Sequence, residues 1–446
     1  MVGKILEIVS EKNVEYIHLE YIDNVGITRS RLIPSAQLEK VFKKGVSFSK
    51  ATLGFNSFDE YIPNSLHGVH DGDFFCIPDP STFMIYPHRK NTARMLTHLV
   101  TVDGDPWEGC SRTVLKNVIK EAETLLGGTI YVGFEQEAYL LKEHDGTLSP
   151  ADNSNCFSTN GIDIQEDFIH SFITSLNAAG IEVVQLSSEY GPGQLEINLN
   201  YSDAMTACDH QITFMQLFKQ VANSKGFVGT LIPKPFEQLP GSGLHIHLSL
   251  LDQNGENLFL DSIDPRGMGL SQKAYHFLGG ILKHGNALLS LSAPSVNSYK
   301  RLQPGTFAPA HLCYGLGNRS ALIRVIEDEK NKRIEFRGAD GTSNPYLLIA
   351  SMLSAAMDGI RHKIDPGEPI NKDAATLTME EMDELNASLL PRSLGESLSY
   401  LSTNQVIRDG LGYTIWREYL SLKESEWIKY CKHVSPWELL TLSKMF

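Results

Sequence analysis

Residues 129–141 read TIYVGFEQEAYLL, and apolar and polar side chains alternate along nearly all of them. Ile130, Val132, Phe134, Ala138 and Leu140 fall on one face of an extended chain, with Tyr131, Gly133, Glu135, Glu137 and Tyr139 on the other. The segment is expected to be a strand with one buried face and two carboxylates side by side opposite it, about 7 Å apart. Like charges that close need a counter-cation, a shared proton or water. This strand alone leaves two readings open, a functional carboxylate pair and a solvated surface.

Outward from it, composition sets the bounds. With 446 residues the chain exceeds one ordinary core, and two domains are expected, 1–97 and 98–446. Apolar residues at 42% and charged residues at 21% describe a soluble globular protein. A net charge of −14 argues against nucleic acid or an anionic membrane as partner. No apolar run approaches the ~18 residues of a spanning helix, and MVGKILEIVSEK has no signal-peptide core, so a cytoplasmic protein is expected. The six cysteines are scattered without a CxxC pair and read as reduced thiols.

Residues 1–97 are expected to form a small mixed domain. A helix over 3–11 precedes EYIHLEYIDNVGITRSRLIP, a hairpin turning at Asp23-Asn24-Val25-Gly26. Ser35 to Glu39 opens a helix that Gly45 ends. Asp59, in a turn-rich loop, is ordinary turn chemistry on local grounds.

From Ser111 helices and strands alternate. One helix turns Val114, Leu115, Val118, Ile119, Ala122 and Leu125 inward and stops at Gly127-Gly128. A second, Asp163–Ala179, turns Phe168, Ile169, Phe172 and Leu176 inward, and a third spans Asp203–Lys225. Between these two, Leu195, Ile197 and Leu199 alternate with Glu196 on the polar side. In GSGLHIHLSL (241–250), His245, His247 and Ser249 lie opposite Leu244, Ile246, Leu248 and Leu250. In KRIEFRGAD, Arg333, Glu335 and Arg337 lie opposite Ile334 and Phe336. One such strand could be a solvated edge. Four imply a curved sheet with one charged face.

That face offers Glu135, Glu137, Glu196 and Glu335, with Glu189 of SSEYGPG, His245 and several arginines. Carboxylates with an imidazole suit magnesium or manganese better than zinc. Two such ions beside arginines are the parts for moving a phosphoryl group. No Walker-type GxxxxGKS/T loop is present.

GFEQEAYLL, SSEYGPGQLEIN, PGSGLHIHLS, NSYKRLQPG, NRSALIR and KRIEFRGAD stand in the order and spacing of the glutamine synthetase superfamily. From about residue 14 to its end the chain resembles the bacterial type, with twelve subunits in two stacked rings. The resemblance implies an α+β fold: a β-grasp amino-terminal domain and a catalytic domain of curved antiparallel sheet with flanking helices. It implies ATP and two or three divalent ions, Mg2+ or Mn2+. Glu137, Glu189 and Glu196 would hold one ion on the glutamate side; Glu135, His245 and Glu335 would hold another at the ATP phosphates. Arg301 would grip the substrate α-carboxylate beside the Gly241 backbone, and Arg319 and Arg337 would sit at the γ-glutamyl phosphate. His247, Ser249, Arg324, Lys330 and Arg333 would line the ATP side. A homo-oligomer, a dodecamer, follows, with each site shared between one subunit's amino-terminal domain and its neighbour's catalytic domain.

The departures carry information too. In relatives that use ammonia, a flap runs proline, glycine, an aromatic, then a glutamate that takes a proton from ammonium. Here it reads Pro304-Gly305-Thr306-Phe307-Ala308-Pro309, with Phe307 in the glutamate's place. Asp59 falls where the family keeps its ammonium-binding aspartate, but Glu60-Tyr61 replace the small residues after it. The segment DAATLTMEEMDELN lacks the tyrosine that some relatives adenylylate. The expected activity joins the γ-carboxylate of L-glutamate to an amine through γ-glutamyl phosphate, giving a γ-glutamyl amide, ADP and phosphate. A bulky or aromatic amine is favoured over ammonia. The alternatives are an ordinary glutamine synthetase and a catalytically silent relative.

Overall fold

The computed structural model describes residues 1–328, 330–385 and 387–446; Asn386, which ends the tyrosine-free segment, lies outside them. The hairpin at Asp23 forms as expected, with Tyr16–Ile22 antiparallel to Thr28–Pro34. Asp23 Oδ1 closes the turn by accepting the N–H groups of Val25 and Ile27 at 3.1 and 2.8 Å. Tyr16–Ile22 also pairs in parallel with Thr92–Val100 within a six-stranded sheet. Helices Val2–Glu11 and Leu38–Lys44 cover that sheet, burying Ile5, Val9, Leu38 and Val41 against Ile17, Leu19 and Ala93. The seam expected at 97/98 falls inside Thr92–Val100, whose pairing carries the sheet to Val100.

Helix Ser111–Leu126 leads into the larger part of the chain. Leu115, Val118 and Ala122 are buried on it, but Leu125 is 38% exposed and Leu126 is buried in its place. The stripe continues from Ala122 at i+4, not i+3, just before Gly127 ends the helix in the left-handed region.

Among the described residues, eleven strands make the second sheet. Its centre is Thr129–His144, longer than the sequence pattern implied, flanked by antiparallel Gln194–Leu199 and Leu244–Leu251. Beyond Leu244–Leu251 come Ile334–Ala339, Ala321–Val325 and His311–Leu316. The last two pair in parallel, so the sheet is not antiparallel throughout.

The sheet's apolar residues divide between two cores. Ile130, Val132 and Phe134 lie in one with Leu244, Ile246, Leu248 and Leu250, and with helices Gln272–Lys283 and Pro345–His362. Gln136 is the polar exception on the apolar side. It is fully buried and satisfied, donating to the Gly243 carbonyl and accepting from Gln211. Phe168, Ile169, Phe172 and Leu176 pack on Leu195, Ile197 and Leu199 in a second core.

The two parts are locked by Arg112. Its guanidinium meets Asp209 at 2.9 and 2.6 Å and Asp79 at 2.9 Å. Among the described residues all six cysteines are free, and no helix is long and apolar enough to cross a membrane.

Candidate active site

Strand register assembles the polar face. His245 stands opposite Glu135, Glu196 opposite Glu137, and both His247 and Arg324 opposite Glu335. Opposed residues hold their Cβ atoms about 4.5–5.5 Å apart, so pairing alone gathers these side chains. His245 Nδ1 lies 3.6 Å from Glu135 and 3.5 Å from Glu335, and its Nε2 lies 3.7 Å from Glu137. His247 Nε2 is 2.9 Å from Glu135. Two sets place ligand atoms within 4.8 Å of one another: Glu135, His247 and Glu335, and Glu135, Glu196 and His245. These sets cut across the partition that the resemblance implied. Glu135 belongs to both, His247 enters, and Glu137 accepts the Gly243 N–H at 2.8 Å.

Burial and repulsion divide the carboxylates. Burial first, then Glu135, Glu137 and Glu189, push the Glu196 carboxyl up to about 8. Burial and then Glu137 raise Glu189 as well. Burial also opposes charge on Glu135, but His245 and His247 outweigh it and hold that carboxyl well below its usual range. At Glu335 burial is outweighed by Arg337, His245, His247 and Arg324. The cluster is therefore short of positive charge on its Glu196 side. A divalent cation held there would supply that charge, and oxygen donors with imidazole suit magnesium or manganese.

A cavity opens on each side of the cluster. One of about 270 Å³ is walled by Glu137, His245, Gly241, Arg301, Arg337 and Phe307. The other, about 440 Å³, is walled by Glu135, His247, Ser249, Asn257, Asp328 and Arg333. Arg301 is buried and donates to the Ala339 and Arg337 carbonyls, each at 3.1 Å. Burial lowers its pKa. The glycines of PGSG let the backbone approach this side chain. A Cβ on Gly243 would run into Arg301 Nη2, and one on Gly241 would stand 2.6 Å from the Pro233 carbonyl.

The other arginines radiate from Glu335. Arg337 Nη1 meets it at 2.5 Å and Arg324 Nη1 at 3.0 Å, while Arg337 Nε donates to the Arg319 carbonyl. Arg324 Nε is buried without a hydrogen-bond partner among the described residues. Arg333 Nε donates to His247 Nδ1 at 3.3 Å on the second cavity's wall. The Arg319 side chain is exposed and its charge acts on Glu189. Lys330 is exposed and lines neither cavity.

Phe307 is 75% exposed on the wall of the smaller cavity, its ring centroid 6.0 Å from that of Tyr190. Asp59 lines neither cavity; it is exposed and bonds Arg29 Nη1 at 2.7 Å. Sequence reading missed Tyr190, Lys234 and Gln238 in the smaller cavity, and Tyr131, Tyr201 and Asn257 in the larger. Tyr131 sits on the polar face by the same alternation as Glu135 and was readable. Lys234, Gln238 and Asn257 come from loops, which carry no periodic signal.

Two family models cover the chain, the glutamine synthetase N-terminal domain over residues 2–107 and the glutamine synthetase catalytic domain over 108–442. The chain is 35% identical to the glutamate–methylamine ligase of Methyloversatilis universalis, covering 99% of this chain and 98% of that one. It is 36% identical to the glutamine synthetase of Methanosarcina mazei, over 98% and 96%. A solved GmaS/ADP complex superposes with a TM-score of 0.87 at 30% identity, over 98% and 99%. Matched through both of its parts, with the charged face of its large sheet assembled by strand pairing, the chain belongs to the glutamine synthetase family of carbon–nitrogen ligases.

Proposed function

We propose that the protein uses ATP to join the γ-carboxylate of L-glutamate to an organic amine, in preference to ammonia. The observation that carries this reading is Phe307, an apolar side chain on the cavity wall that also holds Arg301 and Glu137. A phenyl ring cannot take a proton from ammonium, but with Tyr190 it offers apolar contact to a substituent. The 35% identity to a glutamate–methylamine ligase supports the same direction.

In this reading glutamate occupies the smaller cavity, its α-carboxylate at Arg301 beside the Gly241 backbone. ATP occupies the larger, along His247, Ser249, Arg333 and the neighbouring Lys330. A γ-carboxylate oxygen attacks the terminal phosphorus and ADP leaves. The amine then attacks the acyl carbon, loses a proton, and phosphate departs with the C–O bond electrons. Arg319, Arg324 and Arg337 neutralise phosphate oxygens during both steps. Divalent ions held by Glu135, Glu137, Glu189, Glu196, His245 and Glu335 would supply further charge neutralisation there. The amino-terminal part, matched over residues 2–107, carries Asp59, and the part matched over residues 108–442 carries the cluster. In a ring of subunits, Asp59 would serve the amine side of a neighbouring copy's site.

The test is ATP hydrolysis with glutamate and a panel of ammonia, methylamine, ethanolamine, a polyamine and aniline. A higher kcat/KM for an organic amine than for ammonia supports the proposal. Efficient glutamine formation with no gain from larger amines would make the enzyme a glutamine synthetase. No turnover with any amine, under Mg2+ or Mn2+, would make it a silent relative.

A further inference from the structure

We propose that the long carboxyl-terminal helix, Tyr413–Cys431, positions the Asp59 loop for catalysis through two buried carboxylates, Glu418 and Glu426. The proposal rests on the reading of Asp59 as an amine-side residue. Asp59 has φ of 57°, a left-handed conformation uncommon for a residue with a side chain. Aspartate visits this region more readily than most residues, and the conformation is kept where the surroundings hold it.

Here they do. Asn56, 3% exposed, accepts the N–H groups of Phe58 and Glu60 on its Oδ1 at 2.9 and 3.1 Å, and Asp59 N–H donates to the Asn56 carbonyl at 3.0 Å. The turn so formed is fastened to the helix. Asn56 Nδ2 donates to Ser425 Oγ at 3.3 Å. The N–H and hydroxyl of Ser57 both donate to Glu426 Oε1, at 3.2 and 2.5 Å. Lys429 meets Glu60 at 2.5 Å and lies 4.2 Å over the Phe58 ring. At the loop's far end, Glu418 accepts Ser65 Oγ and Leu66 N–H at 2.5 and 2.7 Å.

Glu418 and Glu426 are 1% and 6% exposed, and Glu426 keeps Lys423 as a buried counter-charge at 3.1 Å. A carboxylate kept out of water is costly unless its oxygens are satisfied. Glu418 spends its acceptor capacity on the 56–66 loop and Glu426 divides its own between Ser57 and Lys423, through charge-assisted bonds that are stronger and more directional than a surface ion pair. Ser57 and Phe58 line a mainly apolar cleft of about 670 Å³ together with Lys423, Glu426 and Lys429 of the helix. Apart from the helix, Asp59 keeps the turn's own Asn56 bonds and the Arg29 pair. Glu418 and Glu426 are positioning residues: they touch no reacting atom, and they act through Asp59.

The experiment measures KM for glutamate, ATP and the best amine of the panel in Asp59→Ala, Glu426→Leu, Glu426→Gln and the double variant Ser57→Ala/Lys429→Met. The double variant cuts two links without uncovering a buried charge, so it reports even if Glu426→Leu does not fold. Expected are a rise in amine KM of about tenfold in Glu426→Leu, a smaller rise in the double variant, and unchanged KM for glutamate and ATP. Glu426→Gln, which still accepts from Ser57, should restore most of the amine affinity. An amine KM unaffected by Asp59→Ala overturns the reading of Asp59 and this proposal with it. If Asp59→Ala raises that KM while the helix variants leave it at the wild-type value, the positioning role alone falls. It falls equally if the helix variants raise all three KM values together.

Discussion

Phe307 and Tyr190 stand against each other on the wall of the Arg301 cavity, ring centroids 6.0 Å apart and planes tilted by 57°. An amine substituent placed against the pair loses contact with water, worth ~1–2 kcal/mol or roughly tenfold in kcat/KM. Phe307→Glu should therefore shift the amine-to-ammonia ratio of kcat/KM toward ammonia by about that factor. Paired kinetics of the two enzymes across the amine panel measure it, and an unchanged ratio would remove Phe307 from the specificity argument.

Glu135 is common to both carboxylate–histidine sets, and His245 lies within 3.7 Å of three glutamates. Glu135→Ala and His245→Ala should each lower ATP turnover by about two orders of magnitude or more. The fold should persist, because neither side chain contributes to an apolar face. Mn2+ binding followed by electron paramagnetic resonance should weaken in parallel. Near-normal turnover in either variant would place the metal site elsewhere.

Gly241 is constrained by both the Pro233 carbonyl and Arg301 Cγ, which a Cβ would meet at 2.6 and 2.8 Å. The smallest relief displaces Arg301. Gly241→Ala should raise the glutamate KM about tenfold or more and leave the ATP KM near its original value. Initial-rate kinetics with each substrate varied in turn separate the two effects.

Arg112 joins Asp79 of the amino-terminal part to Asp209 of the larger part. Its removal strands two poorly solvated carboxylates, and Arg112→Met should cost about 3–5 kcal/mol in unfolding experiments. Burial by itself would raise the Asp79 carboxyl, but His98, Ser81 and Arg112 hold it well below its usual range. A depressed folded pKa stabilises above the unfolded value, about 3.9, and that contribution is lost as pH falls through the folded one. The wild type should lose stability more steeply than Arg112→Met below about pH 4, where Asp79 begins to titrate in the unfolded chain. Parallel acid titrations of thermal stability test this.

Asp59 lines neither cavity of its own chain. If it serves a neighbouring copy, mixing Asp59→Ala and Glu135→Ala subunits after dissociation should restore activity that neither variant has. A fully active monomer in sedimentation would contradict the shared site.

The sequence by itself determined which side of each strand its ionisable residues occupy. Side-chain direction in a strand follows a local period of two, so Glu135, Glu196, His245 and Glu335 could be assigned to one polar face without knowing any neighbour. The opposing Ile130, Leu195, Ile246 and Phe336 are all buried, as that period requires. The tertiary structure decided which strands meet and in what register. It set Glu196 opposite Glu137, put Glu135 in both ligand sets, and paired His311–Leu316 in parallel with Ala321–Val325. It also chose Leu126 over Leu125, because a helix stripe near its end depends on what packs against it. The fastening of the Asp59 turn to Glu426 was least legible of all. Contacts between residues so far apart in the chain leave no periodic trace, and they exist only once both elements are folded and their buried charges must find partners.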